Sequence, residues 1–480
     1  MIRRRSVSLL AIALTLAGCG GSGGGGSGSV AASGGAAPTP TSGGCTLRDR
    51  QDWAAAQLRE WYLFPETLPS SLDPTPFSTV NAYVDALTAT ARSQRRDRFF
   101  TYVTSIASED AFYSSGSSAG FGIRVSTEAA AGRVFVAEAF EGAPALAQGI
   151  DRGTEILAIG TSTADLRPVS SIIATSGTGG VTEALGPNTA GVTRLLRVSN
   201  PAGGTRDVTV TKADYSLAPV SSRYGARIIS DGGRQVGYVN LRTFISTADA
   251  PLRAAFAQFR AAGVTNIIID VRYNGGGLVS TAELIGDLLG RARSTADVLE
   301  YTTFRSEKAS SNSTRFFRPA SESVAPMKVA FIGTPATASA SELIVNSQLP
   351  YLRANAALIG TNTYGKPVGQ IALDRAACDD RLRVVAFKTE NANRQGDYYD
   401  GLATVVETSC KAADDLQRPL GDPAEGSVRA ALDFIAGLPC TRITAAEVGT
   451  QSLRAGELAE RELLTPANPN TAQREAPGVV

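Results

Sequence analysis

The chain has 480 residues, of which 43% are hydrophobic and 19% charged, and its formal net charge at pH 7 is +1. This length allows two or three globular domains, and the mixed charges offer no basic footprint for a nucleic-acid partner. The lack of histidine in the sequence excludes Ser–His–Asp and Cys–His catalysis, together with histidine-containing zinc sites.

The N-terminus has the pattern of an export signal. A basic start, Arg3 to Arg5, precedes an apolar run from Val7 to Ala17 that is too short to be a permanent membrane span. The next residues, 16–19, read Leu-Ala-Gly-Cys and resemble the lipobox at which bacterial lipoproteins are cleaved and acylated. We therefore predict residues 1–19 to be a signal with lipid attachment at Cys19. A plain secretory signal with an incidental cysteine is the alternative.

The residues after the lipobox bear on where such a protein would reside. Gly20 and Gly21 replace the Asp that tends to retain lipoproteins in the inner membrane. The resemblance therefore implies a cell-envelope protein in the outer membrane, facing the periplasm or the cell surface. Residues 20–44 are rich in Gly, Ser, Ala and Pro, and we interpret them as a flexible tether.

Four cysteines remain beyond Cys19. An even number in an exported chain predicts two disulfides, for which three pairings exist. We prefer the pairing in which the second bond ties the start of the folded region to its end, and free buried thiols are the alternative. The preferred bonds are Cys378–Cys410 and Cys45–Cys440.

The pattern of apolar residues divides the rest of the chain into four parts. Residues 45–116 have helical spacing, as at Val80, Val84 and Leu87, and predict a helical N-terminal cap. Residues 117–219 consist of short β runs with glycine turns, and residues 170–193 within them predict an enlarged loop. Residues 220–444 alternate strands with helices, and residues 445–480 are expected to be a weakly ordered tail.

The third part carries the clearest strand and helix signals. The run 267–269 is Ile-Ile-Ile without polar alternation, which is typical of a central strand covered on both faces. The helix predicted over 250–262 places Leu252, Phe256 and Phe259 on one stripe that would pack on a sheet. Overall we predict an α+β multidomain protein.

Three segments carry residues suited to catalysis. Residues 334–342 read Thr-Pro-Ala-Thr-Ala-Ser-Ala-Ser-Glu and connect a buried strand to a helix, where a hydroxyl meets free backbone N–H groups. Residues 363–370 read Thr-Tyr-Gly-Lys-Pro-Val-Gly-Gln, and residues 270–277 read Asp-Val-Arg-Tyr-Asn-Gly-Gly-Gly after another strand. Without histidine, a nucleophile must find its base among Lys, Asp and Glu, and a lysine suits a serine because burial can lower a lysine pKa to about 7–8.

Together these segments resemble the C-terminal processing (tail-specific) protease family. The resemblance implies that Ser339 is the nucleophile, Lys366 the general base and Gln370 the residue that holds the lysine. It also implies an oxyanion hole formed by the Gly276 and Ala340 amides, and a protease core of β/α units of the crotonase or ClpP type. No metal or organic cofactor is implied.

Alternatives exist for each of these residues. Ser341 has the same chemistry as Ser339, and either serine could simply cap the helix. Lys366 could be a surface lysine in a turn, as we expect of the other five lysines. The glycines at 275–277 could form a tight turn without a catalytic role.

The β-rich part resembles the PDZ module that these proteases carry. Residues 120–123, Gly120, Phe121, Gly122 and Ile123, look like its carboxylate-binding loop. Backbone amides of such a loop bind the C-terminal carboxylate of a peptide, which adds to the module as a β-strand.

The resemblance thus implies a serine endopeptidase that acts on exported proteins with exposed C-terminal tails. A catalytically silent, lipid-anchored PDZ protein that only binds peptides or forms a scaffold is the alternative. The expected partners of the protease are protein or peptide substrates and a membrane, and no nucleic acid is expected. The oligomeric state stays open. Ser–Lys enzymes of the penicillin-binding or β-lactamase type need a Ser-x-x-Lys motif. They are excluded, because no serine lies three residues before any lysine.

Overall fold

A computed structural model describes residues 44–444 and 461–480, so Cys19, the predicted signal and nearly all of the predicted tether lie outside the described residues. Helices and strands both occur throughout the described ranges, which confirms the mixed α and β class. Within these ranges no helix has both the length and the apolar character that crossing a membrane requires.

The N-terminal region is mainly helical, as predicted. Its first helix begins at a capping box, in which the Thr46 side chain and the Asp49 carboxylate satisfy each other's backbone N–H. One strand interrupts the helices, which the sequence did not indicate. The elements are α1 (Leu47–Trp61), α2 (Val80–Leu87), α3 (Ala89–Ser93), β1 (Tyr102–Ser105) and α4 (Ile106–Ser115).

The second region is rich in strands, but the prediction of an enlarged loop over 170–193 is wrong. Residues 169–185 form a helix that is kinked at Gly177 and buries Ile172 and Val181 against the neighbouring sheet. The elements are β2 (Ser117–Gly120), β3 (Ile123–Glu128), β4 (Arg133–Ala139), α5 (Pro144–Ala147), β5 (Glu155–Gly160), β6 (Arg167–Pro168), α6 (Val169–Leu185), β7 (Thr193–Ser199), β8 (Thr205–Thr211) and β9 (Ala213–Ser216).

The third region alternates strands and helices as predicted. The helix expected over 250–262 and the strand expected at 267–269 are both present, within about one residue at each end. The elements are β10 (Ala226–Asp231), β11 (Arg234–Asn240), α7 (Asp249–Ala261), β12 (Asn266–Asp270), α8 (Val279–Leu288), β13 (Val298–Phe304), β14 (Ser313–Phe316), β15 (Lys328–Gly333), α9 (Ala340–Asn346), α10 (Leu349–Leu352), β16 (Ala356–Gly360), β17 (Val368–Arg375), β18 (Asp380–Glu390), β19 (Thr408–Lys411) and α11 (Gly426–Ala436).

A six-stranded sheet in the third region positions the predicted catalytic segments. Its order is β10-β11-β12-β15-β16-β19, and every neighbouring pair after β10–β11 is parallel. Ile267 and Ile269 share a buried cluster with residues of α7, α8 and α9, whereas Ile268 packs on the other face with residues of α11. The central strand is therefore covered on both faces, as its unbroken apolar run predicted.

The described residues form three further sheets, the smallest of which is the two-stranded pair β2-β9. An antiparallel sheet of order β1-β18-β13-β14, with β17 also paired to β18, joins the N-terminal region to the chain that follows Lys366. The β-rich region contributes a sheet of order β20-β3-β4-β5-β7-β8, in which β20 (Glu462–Leu463) comes from the C-terminal segment. The N-terminal region thus packs against the catalytic segments rather than forming a separate cap.

The preferred disulfide pairing is wrong. The bonds are Cys45–Cys378 and Cys410–Cys440, with Cα–Cα distances of 5.6 and 5.4 Å. The first bond forms because the start of α1 lies on the β17–β18 turn, where Arg375 donates to the Asp49 carbonyl at 2.6 Å. The second forms because the chain after α11 returns alongside β19.

The prediction of a weakly ordered tail is wrong for residues 461–480, while residues 445–460 lie outside the described ranges. The segment 461–480, which we call the C-terminal segment, contains β20 and the helix α12 (Thr471–Glu475). Ala472, Ala476 and Val479 are buried in a cluster with residues of the N-terminal and β-rich regions. These long-range contacts, rather than local helix or strand propensity, hold the segment in place.

Candidate active site

The three predicted catalytic segments lie at one edge of the six-stranded sheet. They follow β12, β15 and β16, which are adjacent and parallel, so the carboxyl ends of these strands meet at the same edge. The backbones come very close there, since a Cβ placed on Gly276 would lie 2.8 Å from Cβ of Ser339. Only glycine fits at position 276, where φ is also +117°.

The two candidate serines have different environments. Ser339 stands immediately before α9 with φ 56° and ψ −118°, a strained conformation for a residue with a side chain, and it is partly exposed. Ser341 is fully buried, and its Oγ donates a 3.0 Å hydrogen bond to the Asn274 carbonyl. Of the two hydroxyls, only that of Ser339 is placed to meet a substrate.

Glu342 connects the serine to the lysine segment. One of its carboxylate oxygens accepts the Ser339 N–H at 3.1 Å and the Lys366 N–H at 2.7 Å. The other accepts the Thr363 hydroxyl at 2.6 Å and the Gly365 N–H at 2.7 Å. Four donors thus converge on one buried carboxylate, which fixes the Ser339 turn against the backbone that carries Lys366.

Lys366 contacts Gln370, the residue that was predicted to hold it. Its Nζ donates to Gln370 Oε1 at 2.9 Å and lies 4.9 Å from the centre of the Phe100 ring, and Gln370 Nε2 donates to the Phe100 carbonyl. Burial lowers the pKa of Lys366, while the nearby Glu475 carboxylate opposes that shift. In the described part of the chain no hydrogen bond joins Ser339 Oγ to Lys366 Nζ, so the lysine points to Gln370 in this conformation.

The Asp270–Gly277 loop is fixed by its own polar residues. Arg272 is fully buried and pairs with Asp270 and Glu425, each at 2.8–2.9 Å. Asn274 donates from Nδ2 to the Leu241 carbonyl at 2.9 Å. The aspartate and arginine of the motif therefore support the loop and do not face the serine.

The two amides predicted to form the oxyanion hole differ in availability. The Gly276 N–H donates to Asn274 Oδ1 at 2.9 Å, so it is engaged in this conformation. Ala340 is the first residue of α9, where a backbone N–H has no acceptor within the helix. The hole thus needs Gly276 to turn away from Asn274 before both amides can act together.

The predicted carboxylate-binding loop holds the end of the sequence itself. The N–H groups of Phe121 and Gly122 donate to the Val480 oxygen at 3.0 and 3.2 Å, and the Val480 N–H donates to the Ile123 carbonyl at 3.0 Å. A Cβ on Gly120 would lie 2.8 Å from the Val480 carbonyl carbon, so the fourth predicted residue also touches the last one.

One lysine outside the active site is buried, against the expectation of a surface position. Lys212 is 1% exposed, and its Nζ donates at 2.8 Å to the Gly186 carbonyl and to Asn188 Oδ1, 4.7 Å from the Phe121 ring centre. Burial lowers the pKa of Lys212 to about 8. It supports the backbone behind the carboxylate-binding loop.

Sequence reasoning missed three contributors to the site. Glu342 stands within the motif at residues 334–342, but three of its four partners lie 21–24 residues away and gave no local signal. Arg98 donates to the Tyr364 carbonyl at 2.7 Å and also to that of Gly365, so the N-terminal region supports the lysine segment. Glu475 lies in the segment predicted to be weakly ordered, and the Gly275 N–H donates to its carbonyl at 2.9 Å.

Comparison with known proteins adds evidence that is independent of this geometry. Residues 235–395 match the sequence model of peptidase family S41. The carboxyl-terminal-processing protease of Picosynechococcus sp. is 28% identical over 256 residues, which cover 52% of this chain and 55% of that protein. The chloroplastic carboxyl-terminal-processing peptidase 3 of Arabidopsis thaliana is 31% identical over 170 residues, covering 35% and 31%. The chain thus spans about a third to a half of the length of these relatives.

A solved structure supports the fold. The putative S41 protease from Bacteroides fragilis superposes with a TM-score of 0.62 at 23% identity, covering 80% of this chain and 97% of that one. The matched residues 235–395 contain Ser339, Lys366 and Gln370 and the loop with Gly276. This part of the chain is therefore similar to the peptidase family S41 domain.

Proposed function

We propose that the protein is a serine endopeptidase in which Ser339 is the nucleophile and Lys366 the general base. The observation that carries the proposal is the Glu342 carboxylate, which binds the N–H groups of both residues and so fixes one relative to the other. The strained backbone of Ser339 and the half-buried Lys366 side chain with its lowered pKa are typical of catalytic groups.

The reaction proceeds through an acyl-enzyme. Ser339 Oγ attacks the carbonyl carbon of the scissile peptide bond while neutral Lys366 Nζ accepts the hydroxyl proton. Lys366 then donates this proton to the leaving amine as the C–N bond breaks, which leaves an ester on Ser339. Water attacks the ester, Lys366 accepts a proton from the water, and the proton returns to Ser339 as the acid leaves.

The oxyanion of each tetrahedral intermediate would be stabilised by the N–H groups of Ala340 and Gly276. The Gly276 N–H is bound to Asn274 Oδ1, so we expect the loop to rearrange when substrate binds. Lys366 likewise must turn from Gln370 toward Ser339. With both groups in their present positions the enzyme is at rest, and substrate binding would activate it.

The substrate class follows from the carboxylate-binding loop. Backbone N–H groups of Phe121 and Gly122 suit a peptide carboxylate, and the edge of β3 on which residues 478–480 lie suits a strand added by a peptide. We therefore propose a PDZ-like β-rich domain that recognises exposed C-terminal tails of exported proteins. The catalytic core would be of the crotonase type.

We further propose that the enzyme is an outer-membrane lipoprotein attached through Cys19. The lipobox at residues 16–19 supports this location, and two disulfides are compatible with an oxidising compartment. The test is fractionation of cells that express the full chain or Cys19→Ser after labelling with a radioactive fatty acid. Label and membrane association should be present in the first and absent in the second, and label retained by Cys19→Ser would exclude this site.

Casein hydrolysis by the full chain tests the catalytic proposal. We expect Ser339→Ala and Lys366→Ala each to lower the rate by about 10³-fold or more, while the proteins remain folded. Ser341→Ala and Lys388→Ala are matched controls that should retain most activity, since neither side chain meets substrate. Activity that survives Ser339→Ala but not Ser341→Ala would move the nucleophile by two residues. A chain that binds C-terminal peptides but hydrolyses nothing would instead be a peptide-binding protein.

A further inference from the structure

We propose that residues 471–480 are an intramolecular ligand of the peptide groove that also closes over the catalytic loop, so that a substrate C-terminus must displace them. The inference rests on the proposed function for what is regulated, but its first test is a binding measurement that does not depend on catalysis. The contacts that carry it extend from the groove to the neighbourhood of Lys366.

The end of the C-terminal segment is bound as an added β-strand. Gly478 and Val480 pair with β3 in antiparallel register, since the Val125 N–H donates to the Gly478 carbonyl at 2.8 Å and Val480 exchanges bonds with the loop before β3. Val479 lies opposite Arg124 in the same register. This is the geometry in which a peptide adds to the edge of a sheet.

The two last side chains are both buried, on different sides of this strand. Val480 belongs to a cluster that includes Phe121, Ile123 and residues of α6, so it lies in an apolar pocket of the β-rich region. Val479 belongs to the cluster that contains Tyr215 and Ala472. A ligand for this groove therefore needs an oxygen that accepts from the Phe121 and Gly122 N–H groups and an aliphatic side chain at the position of Val480, because a charged or large polar side chain would be desolvated in the pocket.

The preceding residues cross the catalytic loop. The Gly275 N–H donates to the Glu475 carbonyl at 2.9 Å, and a Cβ on Gly275 would collide with the Arg474 carbonyl oxygen at 2.2 Å. Gly275 is adjacent to Gly276, which abuts Ser339. The Glu475 side chain accepts from the Tyr113 hydroxyl at 2.9 Å, which fixes the segment to α4. Backbone of the segment thus lies where a substrate would approach the proposed oxyanion loop.

The segment also acts on the general base. Four charged groups surround Lys366 Nζ: the carboxylates of Glu475 and Asp97 raise its pKa, whereas the guanidinium groups of Arg474 and Arg383 lower it. Among these, Glu475 has the largest effect. Its carboxylate favours the protonated lysine, which cannot accept the Ser339 proton, whereas Arg474 of the same segment favours the neutral lysine.

Covalent attachment makes this ligand hard to displace. A covalently attached ligand acts at an effective concentration on the order of mM, so a free tail competes only if it binds more tightly or is itself concentrated nearby. The segment would thereby select substrates whose C-termini bind the groove as tightly as the segment does, or more tightly. The expected ligand class is an unstructured polypeptide that ends in a small aliphatic residue with a free carboxylate.

The first test measures binding of a labelled peptide with the sequence of residues 471–480 to catalytically blocked proteins. Ser339→Ala is the parent, and Ser339→Ala combined with Val480→Asp should expel the segment from the groove. We expect the double variant to bind the peptide at least about 10-fold more tightly than the parent. An amidated peptide should bind at least about 10-fold more weakly than the free acid. Equal binding by parent and double variant, or no binding by either, would overturn the proposal.

Two further proteins keep the test decisive. Deletion of residues 476–480 empties the groove without a new charge and keeps α12, so it replaces Val480→Asp if that variant is poorly folded. Met327→Asp places the same charge on a side chain that is 66% exposed and remote from the groove, and it should bind like the parent. With Ser339 restored, either groove variant should hydrolyse casein several-fold faster than the full chain. Absence of hydrolysis in every form would contradict the proposed function but leave the binding result to decide this inference.

Discussion

Glu342 is a buried acid with four hydrogen-bond donors and no paired cation among them. A glutamine at this position keeps one accepting oxygen but turns an NH₂ group toward donors, so two of the four bonds are lost. We expect Glu342→Gln to lower kcat/KM about 10–100-fold, because the serine and lysine segments would separate slightly. Loss of buried bonds should also reduce the free energy of unfolding by about 1–3 kcal/mol. Steady-state kinetics and denaturant unfolding measure the two effects.

The matched control is Glu307→Gln, which changes an acid whose side chain is 65% exposed. It should change kcat/KM by less than about two-fold and the free energy of unfolding by less than about 0.5 kcal/mol. Unchanged kcat/KM in Glu342→Gln would show that Glu342 does not position the catalytic pair. A drop in stability without any drop in kcat/KM would likewise assign Glu342 to folding alone.

The pH dependence of activity depends on the protonation of Lys366. The amine must be neutral to accept the Ser339 proton, so kcat/KM should rise as the pH rises through the pKa of Lys366. Burial lowers that pKa below its usual value of 10.5, which moves the rise toward neutral pH. Glu475 opposes this shift. We expect Glu475→Gln to lower the pKa further and to move the acid limb of the kcat/KM profile to lower pH.

Arg474→Gln provides a control of opposite sign. The Arg474 guanidinium lowers the pKa of Lys366, so its removal should move the acid limb to higher pH. Both substitutions disturb the same segment, and release of the segment would change the height of the profile in the same direction for both. Shifts of the midpoint in the same direction would therefore exclude the electrostatic explanation.

Sequence reasoning located the catalytic side chains better than their supports. Ser339, Lys366 and Gln370 stand in short motifs whose residue types suggest their chemistry, and the structure brings Lys366 and Gln370 within 2.9 Å. The role of Glu342 could not be predicted in the same way, because it depends on hydrogen bonds to the lysine segment, which follows a different strand. The engagement of the Gly276 amide by Asn274 is also invisible in sequence, because it depends on the loop conformation rather than on residue type.

Among the elements, the two disulfides connect segments with very different separations. Cys45–Cys378 closes 333 residues and ties α1 to the β17–β18 turn, whereas Cys410–Cys440 closes 30 residues between β19 and the chain after α11. Peptide mapping without reduction should recover these two pairs only. Replacing either pair by alanines should lower the free energy of unfolding by about 2–4 kcal/mol, with the larger loss for Cys45–Cys378 because the longer loop gains more entropy when opened.

The kinetic consequences should distinguish the two bonds. The first bond holds the N-terminal region, which supports Lys366 through Arg98 and Phe100, so we expect its removal to lower kcat as well as stability. The second bond is at β19, the last strand of the six-stranded sheet. Its removal should spare kcat at temperatures where the protein is folded. Recovery of Cys378 linked to Cys410 would contradict the structure directly.

Elements were predictable where a periodic apolar pattern and local propensity agreed. The strand at 267–269 and the amphipathic helix α7 satisfy both conditions. Helix α6 does not, because Gly177, Gly179 and Gly180 lower its intrinsic helix propensity and mimic a loop. The disulfide pairing failed for another reason, since four cysteines permit three pairings and only the path of the chain decides among them.

At the scale of the whole molecule, the C-terminal segment was the largest error. Its strand has two residues and its helix five, so neither could be stable alone, and both form because they bury side chains against distant regions. Order that depends on two regions at once is not visible in a window of sequence.

Arg124 is the residue through which the groove, the C-terminal segment and the catalytic loop meet. It lies on β3, is fully buried, and donates to the carbonyls of Tyr273, at 2.9 Å, and Pro477. It also pairs with Glu138, which Arg242 binds as well at 2.6 Å. A substrate strand in the groove could offer a carbonyl in place of that of Pro477, so Arg124 is positioned to transmit occupancy of the groove to the loop that follows Tyr273.

We therefore expect Arg124→Gln to weaken the coupling between the groove and the catalytic loop more than it weakens the fold. Glu138 keeps Arg242 as its partner, so the buried acid is not left alone and the protein should fold, although with lower stability. Hydrogen exchange of the amides at 274–277 should become faster, because the carbonyl of Tyr273 loses its donor. Arg133→Gln is the matched control, since Arg133 lies on the neighbouring strand β4 with a side chain that is 48% exposed. Faster exchange in both variants would indicate general loosening, whereas faster exchange in Arg124→Gln alone would establish the link between groove and catalytic loop.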